Sequence, residues 1–463
     1  MQLNRQGPAR IGAALCLLTV NLLGATAAMA QTGEESGTGQ RAPEITNVYD
    51  QPLDELDTTS IDSAVLYYKE NGGRVQAIEP MVSVVHTNQN GNSWSAKLTF
   101  DSLTGATPNG ATPWTGTQSF VSPIKGEHSS TGSSGTVVPN PVTGRLERIY
   151  TVDPGKLPLD KAFRDHRVAL DLGYGFSVAS GTKLNLGLNG SVEQDFYSFS
   201  GRASIARELN GGATTLSLGA NFEYDKIDPF HGIPLAFTPM SGVPTNKSDN
   251  RTVITAMAGV TQILRPNWLV QLNYSFTSGN GYQTDPYKIL SVVDGLTGAP
   301  LQYLYESRPD SRTRHAVYGA TKLALGSFVT DLSARYYHDS WGIDSFTVEG
   351  SEHVPIGRKA YIEPRVRYYR QTRADFFTYF LDAGQPLPNH ASADSRLDGF
   401  SAWTFGARAG YELRPGLEIY VNGDLYRSSK TGSYGIRPGA LSSFDLYAGA
   451  DAFNLMLGVK FKL

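Results

Sequence analysis

Apolar and polar residues alternate with period two along much of the chain. Trp268, Val270, Leu272, Tyr274 and Phe276 are apolar, while Gln271, Asn273, Ser275 and Thr277 between them are polar. Leu184, Leu186 and Leu188 alternate with Lys183, Asn185 and Asn189, and Leu216, Leu218, Ala220, Phe222 and Tyr224 with Ser217, Asn221, Glu223 and Asp225. Near the end, Phe453, Leu455, Leu457, Val459, Phe461 and Leu463 alternate with Asn454, Lys460 and Lys462. Side chains on a strand point to opposite faces in turn, so each run predicts a strand with one apolar and one polar face. No run reaches the roughly 18 apolar residues of a spanning helix. The longest, Val253 to Leu264, is interrupted by two threonines, a glycine and a glutamine.

A soluble sandwich or a β-helix shows the same local pattern, so the wider layout decides. The pattern predicts strands near 61–70, 75–87, 93–103, 162–179, 182–196, 197–209, 213–225, 250–264, 267–278, 311–325, 328–340, 342–353, 358–372, 399–413, 416–428 and 450–463. Segments of about 10–15 residues are long for a sandwich but suit tilted membrane strands. Short turns, such as Ser180-Gly181, Arg265-Pro266 and Gly326-Ser327, alternate with long segments at 104–160, 226–249, 279–310, 373–398 and 429–449. Short turns at one rim and long loops at the other characterise a transmembrane barrel. Aromatics toward strand ends, as in Phe196-Tyr197, Tyr336-Tyr337 and Tyr368-Tyr369, suit its interfacial girdles.

The expected fold is therefore all-β: an antiparallel up-and-down transmembrane β-barrel over residues 61–463, with both ends of the barrel on the periplasmic side. Sixteen strands are counted, or fourteen if the first two form a periplasmic hairpin. The last run alternates to its final residue and is expected to pair with the first strand. It ends in Leu463 rather than the aromatic residue that the outer-membrane assembly machinery commonly reads, and Phe461 shares the face of Leu463.

Composition adds an export signal. Arg5 and Arg10 precede the apolar stretch Ile11 to Thr26, and Ala28-Met29-Ala30 fits a small-x-small cleavage site. Cleavage would remove residues 1–30, leaving 31–60 as a polar periplasmic tail. It would also remove the one cysteine, Cys16, and with it any disulfide, thiolate metal site or cysteine nucleophile. A formal net charge of −3 over 463 residues offers no basic footprint for nucleic acid.

Several short stretches point to a family. Tyr67-Tyr68-Lys69-Glu70, then Gly73-Arg74-Val75 and Glu79-Pro80, then Asp101 to Ala111, resemble the N-terminal signature of a group of Gram-negative outer-membrane proteins classed as a domain of unknown function. The resemblance implies a barrel in the lipid bilayer of the outer membrane. It also implies a periplasmic lipoprotein partner, because such proteins are encoded beside small lipoproteins and flavin-transfer or thioredoxin-like proteins. It supplies no activity and no catalytic residues.

The remaining motifs have structural readings. Asp101 to Gly105 and Asp294 to Gly298 share the pattern Asp-x-Leu-Thr-Gly. Neither copy has the spaced carboxylates of a calcium loop, so each is read as an Asp-capped turn. Glu79-Pro80 and Glu363-Pro364 lie within strands, where proline removes a ladder donor and suggests a bulge. The eight histidines show neither His-x-x-x-His nor His-Glu-x-x-His spacing. His338-Asp339 point to opposite faces and cannot form a dyad, and nothing around His166 or His315 suggests a lipase. No catalytic residue, metal or cofactor is assigned.

Transport is the reading that remains. With polar positions turned inward, Asp101, Asp171, Glu193, Asp195, Glu223 and Asp225 come from strands three to seven, and Arg312, Arg314, Lys322, Arg335, Arg365 and Arg367 from strands ten to thirteen. They are expected to line a pore for small polar or charged solutes, with acids on one wall and bases on the other. The alternatives are that these charges pair and plug the lumen, or that the barrel is a scaffold whose long loops dock a partner. Segment 104–160 is long enough to fold inward as a constriction or outward as a docking surface.

Overall fold

The computed structural model describes residues 57–123, 136–139, 146–240 and 247–463. The export signal expected over 1–30, and most of the tail expected over 31–60, lie outside them.

Sixteen antiparallel strands close into one barrel. They are β1 Thr58–Glu70, β2 Gln76–Thr87, β3 Ser93–Thr104, β4 Arg164–Ala179, β5 Thr182–Val192, β6 Phe196–Leu209, β7 Thr214–Ile227 and β8 Asp249–Arg265. The ring continues with β9 Trp268–Gly281, β10 Ser311–Leu325, β11 Phe328–Asp339, β12 Asp344–Ile356, β13 Ala360–Gln371, β14 Phe400–Arg414, β15 Leu417–Lys430 and β16 Asp451–Lys462. The first two strands belong to the wall, so sixteen is the correct count rather than fourteen. Strand β16 pairs with β1 from Ser60↔Lys462 to Glu70↔Ala452, which closes the seam as alternation predicted. At strand spacings near 4.8 Å and a tilt of about 40°, sixteen strands give a backbone radius of roughly 16 Å.

Alternation is realised across the whole wall. Leu272 is 52% exposed on the outside, whereas Asn273 is 3% exposed on the inside. Val65, Leu98, Leu170, Leu188, Leu218, Ile254, Leu332 and Leu457 continue that apolar belt around the ring. Such a belt is unfavourable in water and matches hydrocarbon. Replacing Leu272 by arginine is expected to cost about 2–4 kcal/mol, and replacing Asn273 by arginine much less. Denaturant titration of the refolded barrel in lipid vesicles measures the difference, and equal costs would contradict this facing.

The two rims differ. One carries only the turns 88–92, 180–181, 210–213, 266–267, 326–327, 357–359 and 415–416. Gly181 (φ 65°) and Gly326 (φ 64°) supply the left-handed residue that two-residue hairpins require. The other rim carries the long segments 105–163, 228–248, 282–310, 372–399 and 431–450, plus the short 71–75, 193–195 and 340–343.

Three local expectations change. Strand β5 stops at Val192, because Glu193-Gln194-Asp195 breaks the alternation and Glu193 donates its N–H to Phe196 O at 2.8 Å. The Glu-Pro pairs make no bulge. The β2–β3 ladder resumes beyond Pro80 in unchanged register, from Ile78↔Ser102 to Met81↔Thr99, and Pro364 pairs with Ala407. Both prolines sit on the outer face, and the shifts in register occur instead beside the short turns, at Ser177/Ala179, Ile263/Arg265 and Glu412/Arg414. Finally, only the second Asp-x-Leu-Thr-Gly copy is a capped turn. Asp294 accepts from Leu296 N, Thr297 N and Thr297 Oγ1, which holds its carboxyl below the usual range. Asp101 lies within β3.

Candidate functional site: lumen and capped mouth

The inward face of the wall is largely polar, with Val253, Met257 and Leu66 among its apolar exceptions, and most of its charges form short-range pairs. Asp101 accepts from Arg167, its direct cross-strand neighbour, and Arg167 also lies 3.9 Å from Glu193. Asp225 and Arg251 face each other in register at 2.9 Å. On the other side of the ring Lys322 meets Asp331 at 3.1 Å, again in register. Arg312 holds Asp339 at 2.5 Å and lies 4.1 Å from the Trp341 ring. Arg335 stands 5.6 Å from the Tyr337 ring. Glu223 and Arg314 are buried on the inward face, Arg314 two positions from Arg312. Glu193 and Asp195 sit at the rim in segment 193–195, where Asp195 accepts from Tyr287 Oη. Arg367 faces inward, half-buried, with no hydrogen bond or ion pair among the described residues.

The expected acidic and basic walls are therefore interleaved. Arg167, Arg202 and Arg251 stand among the acids, and Asp331, Asp339, Glu349 and Asp424 among the bases. Each partner obeys the alternation that turned the predicted residues inward. What sequence reasoning lacked was the register that sets them opposite one another.

Two pairs reach across an intervening strand, and glycine is the reason. Arg202 on β6 donates to both carboxylate oxygens of Asp171 on β4, at 2.6 and 2.7 Å. Its guanidinium passes over Gly187 of β5, where a Cβ would collide with it. Arg365 of β13 and Asp424 of β15 pair over Gly406 of β14, which lies in register with both. A Cβ at Gly406 would meet the Asp424 carboxylate. Replacing Gly406 by valine is expected to separate the pair and destabilise the barrel by about 1–3 kcal/mol. Denaturant midpoints of Gly406→Val in native and Asp424→Asn backgrounds read the coupling, and additive effects would contradict it.

Above the lumen the long loops pack into a cap. Its larger core joins Val293, Trp341, Ile343, Phe377, Leu397 and Leu441, contributed by four different loops. A second core joins Ala111, Phe120, Tyr150 and Val152 to Ile289. Strand Leu381–Asp382 adds in parallel to Ile289–Val293, tying 372–399 to 282–310. Segment 105–163 touches both: Ile289 N donates to Asn109 O at 2.8 Å, and a Cβ on Gly110 (φ 100°) would meet the Ile289 carbonyl and Ala393. These loops rise after β3, β9 and β13, which lie six, four and six strands apart around the ring. Chains rooted that far apart on the rim meet only over the mouth.

Buried charges hold this junction. Arg308, with its side chain 0% exposed, reaches Glu306 at 2.7 Å and Asp394 at 2.8 Å. Arg396 bridges Asp394 and Asp285, the latter at 2.8 Å. Lys288 Nζ donates to Thr107 Oγ1 at 2.5 Å and Pro108 O at 2.7 Å, and Ser392 Oγ donates to Glu306. Burial pushes the Glu306 carboxyl up to about 7 and lowers Lys288. Burial also works against the charge on Asp394, but Arg396, Lys288 and Arg308 outweigh it and hold that carboxyl well below the usual range.

The histidines are dispersed. His338 faces outward and bonds Asp344 at 3.0 Å, while Asp339 turns inward to Arg312. His315 meets the Tyr274 hydroxyl at 2.8 Å, also outside, and His353 meets Glu363 at 2.6 Å in the lumen.

The family model described as protein of unknown function (DUF3570) matches residues 21–461. The chain belongs to that family. The described residues of this DUF3570 barrel also resemble solved barrels of Pseudomonas aeruginosa. The ferric enterobactin receptor is 10% identical, with 82% of this chain and 56% of that chain covered and a TM-score of 0.39. OpdO is 9% identical, covering 89% and 97% with a TM-score of 0.39. OccK2 in complex with glucuronate is 10% identical, covering 88% and 98% at 0.37. The chain thus spans a little over half the length of the receptor. Among curated proteins none matches it in sequence.

Proposed function

We propose that the chain is an outer-membrane channel for small polar or charged solutes, closed at its long-loop mouth by a cap of its own loops. The observation that carries this reading is the contrast between the two faces of one wall. An apolar belt runs outside, and a lumen of hydroxyl, amide and paired charged groups runs inside. Ion pairs keep that lumen polar without leaving a strong field of one sign. The wall supplies the route, and the cap controls entry from the long-loop side. On this reading the protein needs the outer-membrane assembly machinery for insertion and no cofactor.

Single-channel recording in a planar bilayer tests it. The native protein is expected to be quiet or weakly conducting, with larger openings once the cap is loosened. A barrel that stays silent with its cap disrupted would overturn the proposal. Selectivity has its own expected outcome. Arg367→Gln removes an inward cation with no ion-pair partner and is expected to shift the reversal potential toward cations. The neutral exchange Arg365→Gln with Asp424→Asn removes a pair and is expected to shift it little. The Arg367 effect should fade toward 1 M salt, where the Debye length is about 3 Å.

A second reading, a docking barrel, rests on Leu296 and Ile436, which are 87% and 94% exposed on the cap. Their loops touch, since Ala440 N donates to Thr297 O at 3.0 Å. A surface partner, or the periplasmic lipoprotein that family resemblance implies if it reaches this side, is then held by apolar contact. Leu296→Ser with Ile436→Ser would release the partner and leave conductance unchanged.

A further inference from the structure

The outer face of the barrel is charged unevenly. On β9 to β12 it carries no lysine or arginine, only histidines and the acids Asp344 and Glu352. From β13 through β16 to β1 its charges, apart from Arg414 beside the short turn 415–416, stand at the long-loop end: Arg370, Arg427, Asp451 and Lys69. All three cations are exposed, and the Arg427 side chain is 81% exposed. Arg370 and Lys69 have no ion-pair partner among the described residues, and Asp451 lies 3.5 Å from Arg427. The sector therefore keeps a net positive charge where the belt meets the polar layer.

Register makes this a regular array. Arg370 is in register with Ser401 and, through it, with Ser429; Arg427 lies two residues below Ser429 and pairs with Asp451. Lys69 pairs with Phe453, two residues further along β16. Successive cations are thus two strands and two residues apart, about 12 Å between Cα atoms at standard strand dimensions. Side chains of this length can converge on one phosphate or hold two neighbouring ones, and guanidinium takes phosphate with two hydrogen bonds. Just below them, Tyr368 packs on Trp403 at 4.8 Å and Tyr67 on Phe453 at 5.8 Å. Aromatic side chains of this kind sit at the level of lipid headgroups.

We propose that the outer face of β13–β16 and β1 binds a phosphate-bearing lipid headgroup in the leaflet at the long-loop rim, through Arg370, Arg427 and Lys69. The inference rests on the reading that the apolar belt lies in a bilayer. Plain snorkelling accounts for isolated rim cations such as Arg164 of β4 and Lys226 of β7, the latter paired with Asp228, whereas Arg370, Arg427 and Lys69 stand on alternate strands of one sector above an aromatic shelf.

Nanodiscs of phosphatidylcholine doped with lipid A, or with lipid A stripped of its phosphates, test the proposal. Native mass spectrometry reads the lipid retained by the protein. The native chain is expected to retain phosphorylated lipid A and to lose the stripped form. Lys69→Gln with Arg370→Gln and Arg427→Gln is expected to lower retention on the order of 100-fold, since each cation near a charged membrane surface contributes a factor of about five. Arg164→Gln with Lys226→Gln, outside this sector, should leave retention unchanged. Equal retention of stripped lipid A, or full retention by the triple variant, would overturn the proposal while leaving the channel reading intact. Failure of the native protein to enter nanodiscs would instead sink the membrane reading on which it depends.

Discussion

Replacing Leu457 by proline is expected to abolish barrel assembly. Leu457 lies in the middle of β16, paired with Val65 of β1 on one side and Val421 of β15 on the other. It sits in the apolar belt, 58% exposed on the outer face. Proline removes one backbone donor from a central ladder, and in hydrocarbon no water replaces the lost hydrogen bond, so each orphaned group costs several kcal/mol. The seam between β16 and β1 is the one pairing formed between the two ends of the described chain, and no hairpin turn holds it. Loss there leaves two strand edges open. Leu457→Ala keeps the donor and should assemble. The assay is the mobility difference between heated and unheated protein in detergent gels, together with protease sensitivity in the periplasm. A proline variant that still shifts on heating would mean that the seam is dispensable.

The wall was legible because every strand divides two solvents. A residue of the wrong polarity meets hydrocarbon outside or water inside, so the parity of Leu272 and Asn273, or of Leu457 and Asn454, is visible without structural knowledge. The predicted 311–325 coincides with β10 for the same reason, with Gly326 marking its turn. Parity also turned Asp101, Asp225 and Arg312 inward. It could not supply register, and register decides whether charges oppose across a pore or pair along a wall. Arg365 and Asp424 show the difficulty most plainly: 59 residues apart, they meet because Gly406 between them has no side chain.

The cap was not legible. Val293, Phe377, Leu397 and Leu441 come from three segments that read as long connections, and none carries a period of its own. They form a core only after the barrel has placed their loop roots around one rim. Arg308 and Glu306 lie in the same kind of segment, with no period to mark them as buried. Their burial depends on a partner, Asp394, that arrives from across the mouth.

Arg308 therefore carries the other large expected effect. Arg308→Ala is expected to loosen the cap by about 3–5 kcal/mol, because it leaves Glu306 and Asp394 buried without their shared cation. Neither Arg396, already on Asp394 and Asp285, nor Lys288, on Thr107 and Pro108, is aimed at the Glu306 oxygen that Arg308 holds. All six charged groups of the cluster lie in segments 282–310 and 372–399, so the barrel ladders should stand and heat-shifted mobility should persist. Trypsin is then expected to cut the long loops faster, and planar-bilayer recordings to show larger or more frequent openings. Adding Glu306→Gln removes the orphaned charge and should restore part of the protection, whereas adding Asp285→Asn should not. If the loops become protease-sensitive and conductance does not change, the cap packs over the mouth without gating it.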